Sequence, residues 1–558
     1  MKKLCAATLM LFITLLLFSP LCQKTLPASA APVFKLGSEV FFDRYTHLID
    51  GKNVGLITNQ SGVNSQGVST IDLLRADNNT TLAALYAPEH GLDGLATAGE
   101  YVQSYTHPQL GITVNSLYGA TRMPTEAMLK NIDILLYDIQ DIGARTYTYI
   151  STLNYCMIAA QNYHKPIVVL DRPNPLGGVI VEGPVLEDQY QSFVGIDNLP
   201  EAHGMTAGEL ALFFNRKIGA DLTVIPMEGY NRTMVYADTG LKWIPTSPNI
   251  PDIASVFGYM ATGIGEGTGV FQADQFKWIG GRGLDSVKYA DELNRAGLPG
   301  ITFIPEDRGS SGGARLQITD YHTFNPARTG IYALTTAMLQ GSFQIPKSGD
   351  TIVMFDKVMG TNKIGQYLEA RLTPQQIEAN YAPALQTFKE ERKKYLLPDY
   401  DGGAVSNPVS NPVSDPAPNP ASNPVSNPVY KGDMTTPLYD SFISVLVNGV
   451  PVEFDIWPFI DENGRVMIPL RGVAESLGAE VNWNAEQLTV TIIKDNTTII
   501  YPLGSRTVLV NGAPAEMDTI SIITNTGRVM IPARYTGEYL GAEVTWDPDT
   551  KTVSIIKN

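Results

Sequence analysis

The 558-residue sequence predicts an α/β protein built on a parallel sheet and followed, across a tether, by a small α+β module. Three observations carry this reading. Short apolar runs alternate with amphipathic stretches between about residues 33 and 400, which is the mark of parallel βαβ units. A proline-punctuated segment then breaks all regular structure, and the remainder of the chain repeats itself at an offset of 63 residues.

The first thirty residues are predicted to be a secretory signal. Lys2 and Lys3 precede a nearly unbroken apolar run from Leu4 to Phe18, and Ala28-Ser29-Ala30 offers small residues for cleavage. Pro20 and Gln23-Lys24 interrupt the run before it reaches the length of a bilayer span. Cys22 follows the bulky Leu21, where lipid-modification sites carry a small residue. The expected product is secreted, extracellular or wall-associated, with no transmembrane span. Of three cysteines, Cys5 and Cys22 leave with the signal, so Cys156 stands alone and no internal disulfide can form. Losing Lys2, Lys3 and Lys24 deepens the formal charge from −16 by three, to −19. So acidic a chain has no basic footprint for nucleic acid.

Within the α/β region, Val54 to Thr58, Leu82 to Tyr86, Ile132 to Tyr137 and Ile167 to Leu170 read as buried strands, with Pro124 to Lys130 and Thr152 to Tyr163 as intervening helices. Functional groups follow each strand at once. Asn59-Gln60-Ser61-Gly62 succeeds the first, Pro88-Glu89-His90-Gly91 the second, Asp138, Asp141 and Arg145 the third, and Asp171-Arg172-Pro173-Asn174 the fourth. Open α/β sheets bind ligands at the carboxyl edge, where these segments must converge. The acids there, with Glu182 in Val181-Glu182-Gly183-Pro184, suit paired-carboxylate chemistry such as glycoside hydrolysis. Arg145 and Arg172 are forks of the type that holds a ligand carboxylate, although an Asp beside an Arg equally suits a structural ion pair.

Other motifs carry less. Thr206 and Glu209 form a capping box for a helix from Ala207 to Lys217, placing His203 just ahead of its amino end. Gly309-Ser310-Ser311-Gly312-Gly313 matches a nucleophile elbow, but Ala314 to Thr319 alternates like a strand where that motif requires a helix. The glycines of Gly263 to Gly269 lack dinucleotide spacing, so no cofactor is predicted. His90, Asp141 and His203 lack the spacing of a metal motif, and no metal is predicted.

The tether is read over residues 401–433. Asn-Pro recurs at Asn407, Asn411, Asn419, Asn423 and Asn427, and each proline excludes helix and central strand. Beyond it, Val447-Asn448-Gly449 returns as Val510-Asn511-Gly512, and Gly464 to Pro469 returns as Gly527 to Pro532. Leu477 to Val481 returns as Leu540 to Val544, each followed by a tryptophan, Trp483 and Trp546. Each unit reads as strand, short helix and hairpin. These residues, within 434–558, resemble the stalk domain found at the amino end of copper amine oxidases, which implies a surface-display or wall-associating role.

The α/β region itself resembles a family. Asn59-Gln60-Ser61-Gly62, Ala87-Pro88-Glu89-His90-Gly91, Asp138 to Arg145, Asp171 to Gly178, Glu182-Gly183-Pro184, His203-Gly204-Met205-Thr206 and Ser247 to Pro251 together resemble the bacterial exo-β-N-acetylmuramidases, long known only as a domain of unknown function. The resemblance spans about Val33 to Tyr400. It implies a Rossmann-like subdomain to about residue 215, a second α/β subdomain over about 216–400, and an active cleft between them. It also implies release of N-acetylmuramic acid from the non-reducing end of peptidoglycan fragments, with Glu89 as the leading catalytic group. The candidate set is Glu89 and Asp141 as catalytic carboxyls, with Asn59, Ser61, His90, Asp138, Arg145, Arg172, Asn174, Glu182 and His203 around the substrate. The expected partners are peptidoglycan-derived disaccharides or glycan ends, and a non-catalytic muropeptide-binding protein is the alternative. The sequence departs from the family pattern between Gly265 and Gly283, which leaves the second subdomain's share of the site open.

Overall fold

The computed structural model describes residues 34–349, 352–401, 409–410 and most of 443–557. The predicted signal peptide and most of the tether lie outside the described residues. Seven strands of the main sheet come from the first part of the chain: β1 (Asn53–Thr58), β2 (Thr81–Ala87), β3 (Tyr105–Thr106), β4 (Thr113–Ser116), β5 (Ile134–Asp138), β6 (Ile167–Leu170) and β7 (Leu222–Ile225). Their spatial order is β7-β6-β5-β1-β2-β4-β3, and all but β3 run parallel. A two-residue strand from the tether, Val409–Ser410, caps the β7 edge antiparallel, the edge position that proline-rich chain tolerates. Order reverses between β1 and β5, so the topological switch point lies there, as in the Rossmann arrangement.

The strands are apolar throughout because both faces are covered. Leu56, Leu85, Leu136 and Val168 enter one buried cluster with Val40 and Phe41 of the helix Gly37–Arg44. Their neighbours Ile57, Tyr86, Tyr137 and Val169 enter a larger cluster on the opposite face, shared with the helices Tyr149–Asn162 and Ala207–Ile218. The predicted capping box is formed: Thr206 Oγ1 accepts from the Glu209 amide at 3.3 Å, and Glu209 accepts from the Thr206 amide at 3.1 Å. Cys156 is fully buried in this cluster, and desolvation pushes its thiol pKa well up. The helix expected over Pro124 to Lys130 shrinks to one turn, Glu126–Leu129. The parallel sheet runs on to residue 225 through β7.

A second, wholly antiparallel sheet follows: β8 (Val270–Ala273), β9 (Trp278–Arg282), β10 (Ile301–Pro305) and β11 (Ser311–Ile318), in the order β10-β11-β9-β8. The Gly-Ser-Ser-Gly-Gly segment thus leads into a strand. Gly313 there and Gly280 on β9 make room for Trp278, since a Cβ on either would meet that ring at 2.3 or 2.5 Å. The larger apolar cluster continues without a break into this sheet through Phe257, Ile279 and Phe303. The closing helix Pro374–Arg392 then returns the chain to the first sheet, where Tyr400 is fully buried.

The repeat module has its own apolar cluster. Val466–Pro469 pairs antiparallel with its counterpart Val529–Pro532, Ile468 facing Ile531, while Met467 faces Pro532 and Pro469 faces Met530. That register makes a local two-fold axis between the repeats. Asn448-Gly449 and Asn511-Gly512 are left-handed pairs that close equivalent hairpins.

Tyr400 ties the carboxyl end of this α/β unit to the sheet edge: its hydroxyl donates to Asp171 Oδ2 at 2.6 Å and accepts from the Met227 amide at 2.9 Å. Replacing Tyr400 by Phe leaves both groups buried without that partner, and should cost about 1–3 kcal/mol of unfolding free energy in denaturant titration. An unchanged midpoint would show that the tail is not held by this bond.

Candidate active site

Glu89 stands where β2 leaves the sheet. Pro88 ends the strand, and His90 and Gly91 take left-handed conformations, φ 71° and 81°, which reverse the chain at once. A non-glycine residue in that region is uncommon and marks a conformation imposed by its surroundings. The reversal is fixed by His90 itself, whose Nδ1 lies 2.7 Å from the Ala96 carbonyl and whose own carbonyl accepts from the Ala96 amide at 3.2 Å. Glu89 is 7% exposed. Its Oε1 accepts from the Gly99 amide at 2.9 Å and its Oε2 from the Thr148 hydroxyl at 2.5 Å, so both oxygens are positioned by the protein.

Aromatic side chains wall this carboxyl. Tyr149 meets His90 edge-on at 6.4 Å and Tyr147 at 4.8 Å, and Tyr147 meets Tyr259, from the helix Ile253–Thr262, at 5.7 Å. The Tyr147 hydroxyl donates to Thr246 Oγ1 at 2.9 Å, and Tyr149 donates to the Thr246 carbonyl. Residues from both sheets' surroundings therefore enclose one site. Burial raises the pKa of Tyr149 and Tyr259, with the Glu89 charge adding to it, so the phenols keep their protons.

Most of the other predicted residues are engaged in the scaffold. Asp138, fully buried, pairs with Arg172 through Nε at 2.5 Å and Nη2 at 3.0 Å, and Arg172 also donates to the Val63 carbonyl. Arg145, fully buried, donates to Glu201 at 2.9 Å and to the Val358 carbonyl at 2.8 Å. The structure corrects the expectation that one of these arginines is a fork for a ligand carboxylate: Arg172 is spent on Asp138 and the Val63 carbonyl, and Arg145, although its buried Nε has no partner, turns Nη2 to Glu201 and Val358 inside the protein. Ser61 donates to Asn59 Oδ1 at 2.6 Å and accepts from the Gln140 amide at 3.0 Å, closing the crevice between β1 and β5. Asn174 donates to the Met205 carbonyl and accepts from the Leu176 amide. Glu182, half-buried, accepts from the Gly183 amide at 3.0 Å and lies 3.5 Å from Asn325 on the second subdomain.

Asp141 and His203 are different. Asp141 Oδ2 accepts from the Gly143 amide at 2.7 Å, but its buried Oδ1 has no partner. His203 Nδ1 accepts from the Met205 amide at 3.2 Å, which leaves the proton on Nε2, also buried without a partner and 4.0 Å from Asp141 Oδ2. Burial lowers His203 to about 3, so it is neutral, and raises Asp141 to about 7 against the pull of the Gly143 and Ile142 amides. Asp141 can exchange a proton near neutral pH. No group of three or more His, Cys, Asp or Glu among the described residues is arranged to hold a metal ion.

The sequence reading passed over Thr148, Tyr118 and Arg122. Tyr118 and Arg122 follow β4, a fifth strand end on the same edge, whose signal was the alternation of Ile112 and Val114 before Gly119. The Tyr118 phenol faces Glu89 and Arg122, and is pushed up to about 12 mainly by burial and then by the Glu89 charge.

Two outcomes follow from this geometry. Arg172→Ala strands Asp138 as a buried, unpaired charge and should lower unfolding free energy by about 3–5 kcal/mol; wild-type stability would show the pair to be dispensable. Asp141 binds its proton more tightly in the folded state, about 7 against 3.8, so the stability it contributes is complete below about pH 4 and is lost as pH rises through 7. Asp141→Asn should therefore flatten the decline of Tm over that window, and parallel wild-type and variant curves would refute the assignment.

The same architecture and motifs occur together in known proteins. Models of the N-terminal and C-terminal parts of the exo-β-N-acetylmuramidase NamZ match residues 54–254 and 257–397, and a copper amine oxidase N-terminal domain model matches 446–555. The peptidoglycan β-N-acetylmuramidase NamZ of Bacillus subtilis strain 168 is 41% identical over 383 residues, covering 66% of this chain and 92% of that protein. A crystal structure of a DUF1343 family protein from Bacteroides fragilis matches with a TM-score of 0.59 at 36% identity, over 65% of this chain and 99% of that one. The two family parts adjoin at the start of the helix that carries Tyr259 to the Glu89 site, and across both of them this chain belongs to the exo-β-N-acetylmuramidase family.

Proposed function

We propose that the protein is a secreted glycosidase that releases N-acetylmuramic acid from the non-reducing ends of peptidoglycan-derived glycans, in cell-wall turnover. The observation that carries this is Glu89, a carboxyl at a strand end, held at both oxygens by Gly99 and Thr148 and enclosed by tyrosines from both subdomains. Fixing the carboxyl costs no reorganisation when the bond breaks, and the aromatic wall keeps bulk water from screening it. Glu89 transfers the proton at the glycosidic oxygen. Asp141, poised near neutrality, assists attack at the anomeric carbon.

Export rests on the Lys2-Lys3 and Leu4 to Phe18 pattern, and no helix among the described residues is long and apolar enough to cross a membrane. The repeat module, on its tether, is assigned to holding the enzyme at the wall. Its independent apolar cluster supports a separately folded unit.

Glu89→Gln keeps the size and hydrogen-bonding reach of the side chain but cannot donate the same proton. Turnover of a chromogenic β-N-acetylmuramic acid aglycone should fall by roughly 100-fold or more with an unchanged melting curve. A variant that retains near wild-type turnover would remove Glu89 from the reaction.

A further inference from the structure

Arg122 is a half-buried cation with no carboxylate within ion-pair distance among the described residues, in a region where Arg145 and Arg172 are each paired with a protein carboxylate. Its guanidinium carbon lies 4.2 Å from the centroid of the Tyr118 ring and 4.3 Å from that of Phe193. Those two rings lie 5.9 Å apart, and Tyr155 backs Phe193 at 5.5 Å. The guanidinium sits in the corner that the two tilted rings make with each other and has the Tyr118 phenol as a polar partner, so the rings position the fork while its remaining N–H donors can serve another group. Tyr118 is also the residue that faces Glu89, so one aromatic side chain separates the cation from the catalytic carboxyl.

We propose that Arg122, held against the rings of Tyr118 and Phe193, binds the lactyl carboxylate of N-acetylmuramic acid and thereby sets the enzyme's preference for that sugar. This rests on the functional reading above and adds its specificity determinant. Glucosamine-type sugars lack the lactyl group, and a guanidinium fork matches a carboxylate in geometry as well as charge. A binder of phosphate would gain from several cations, whereas here a single arginine stands between rings whose apolar faces suit a sugar and its methyl groups. The strand position agrees: β4 neighbours β2, so the cation and Glu89 leave the sheet on adjacent strands.

The test compares kcat/KM for a chromogenic β-N-acetylmuramic acid substrate and for its lactyl methyl ester, which has the same shape without the charge. Wild type should favour the acid by about one to two decades, the worth of a charge-assisted bond. Arg122→Ala should bring the acid-to-ester ratio to near one, mainly through a higher KM for the acid, and Arg122→Lys should restore part of it. Because each ratio is taken within one preparation, a partly unfolded variant does not distort it. If Arg122→Ala lowers both substrates equally, or leaves the ratio at the wild-type value, Arg122 only packs and the proposal is wrong. Failure of the wild type on both substrates would instead overturn the functional reading.

Discussion

The buried ion pair between Asp138 and Arg172 decides where this protein can have an active site. It sits at the switch point of a Rossmann-type sheet, joining the ends of β5 and β6 and reaching the loop after β1 through the Val63 carbonyl. In open α/β sheets that crevice is where ligands enter. Here charge, guanidinium and the Asn59–Ser61–Gln140 bonds fill it. Such a pair adds little net stability, since desolvation offsets its attraction, but it cannot be half removed. Of the two candidate carboxyls, Glu89 leaves the sheet on β2, on the far side of β1 from that pair, while Asp141 follows β5 beside it.

Burial then gives similar acids dissimilar roles. Asp138 has a cation and Asp171 four donors, the Tyr400 and Thr206 hydroxyls and the Gly208 and Arg172 amides. Glu201 has Arg145. Each of these is satisfied within the protein. Asp141, equally buried, has an oxygen with no partner beside a neutral imidazole; burial lifts its pKa to about 7, as it does that of the fully bonded Asp171, so the unbonded oxygen and not the shift sets Asp141 apart.

What the sequence made legible follows from the same physics. Strands buried on both faces must be apolar throughout, so β1, β2, β5 and β6 were plain, and Thr206 with Glu209 announced a helix start in local spacing alone. β4 escaped because its last residues, Asn115 and Ser116, are polar although buried. β9 escaped because Gly280 and Gly281 erase the alternation that marks a strand, whereas of β11 only the start was hidden, by Gly312 and Gly313, its Ala314 to Ile318 having alternated as read. The partners of Asp138 and Arg145 lie 34 and 56 residues away, so no local pattern could distinguish a structural arginine from a ligand fork. Arg122 lacked any motif, and only the stacking of Tyr118 and Phe193 distinguishes it.

The segment from Gly265 to Gly283, where the sequence is expected to depart from the family pattern, can be followed to the candidate site by contact. The segment forms the β8–β9 hairpin, whose turn holds Asp274, Gln275 and Phe276 in left-handed conformations, at φ 53°, 53° and 68°. Three such residues in succession persist only where neighbours over-determine them. Arg315 bonds Asp274 at 2.7 Å, Gln275 reaches the Pro248 carbonyl at 3.2 Å, and Phe276 packs on Tyr259 at 5.0 Å. From Tyr259 the ring contacts run to Tyr147, Tyr149 and His90, the residue beside Glu89. The second subdomain thus meets the loop of Glu89, the candidate carboxyl, through one row of aromatic side chains, so changes in the hairpin reach the Glu89 wall through the packing of Phe276.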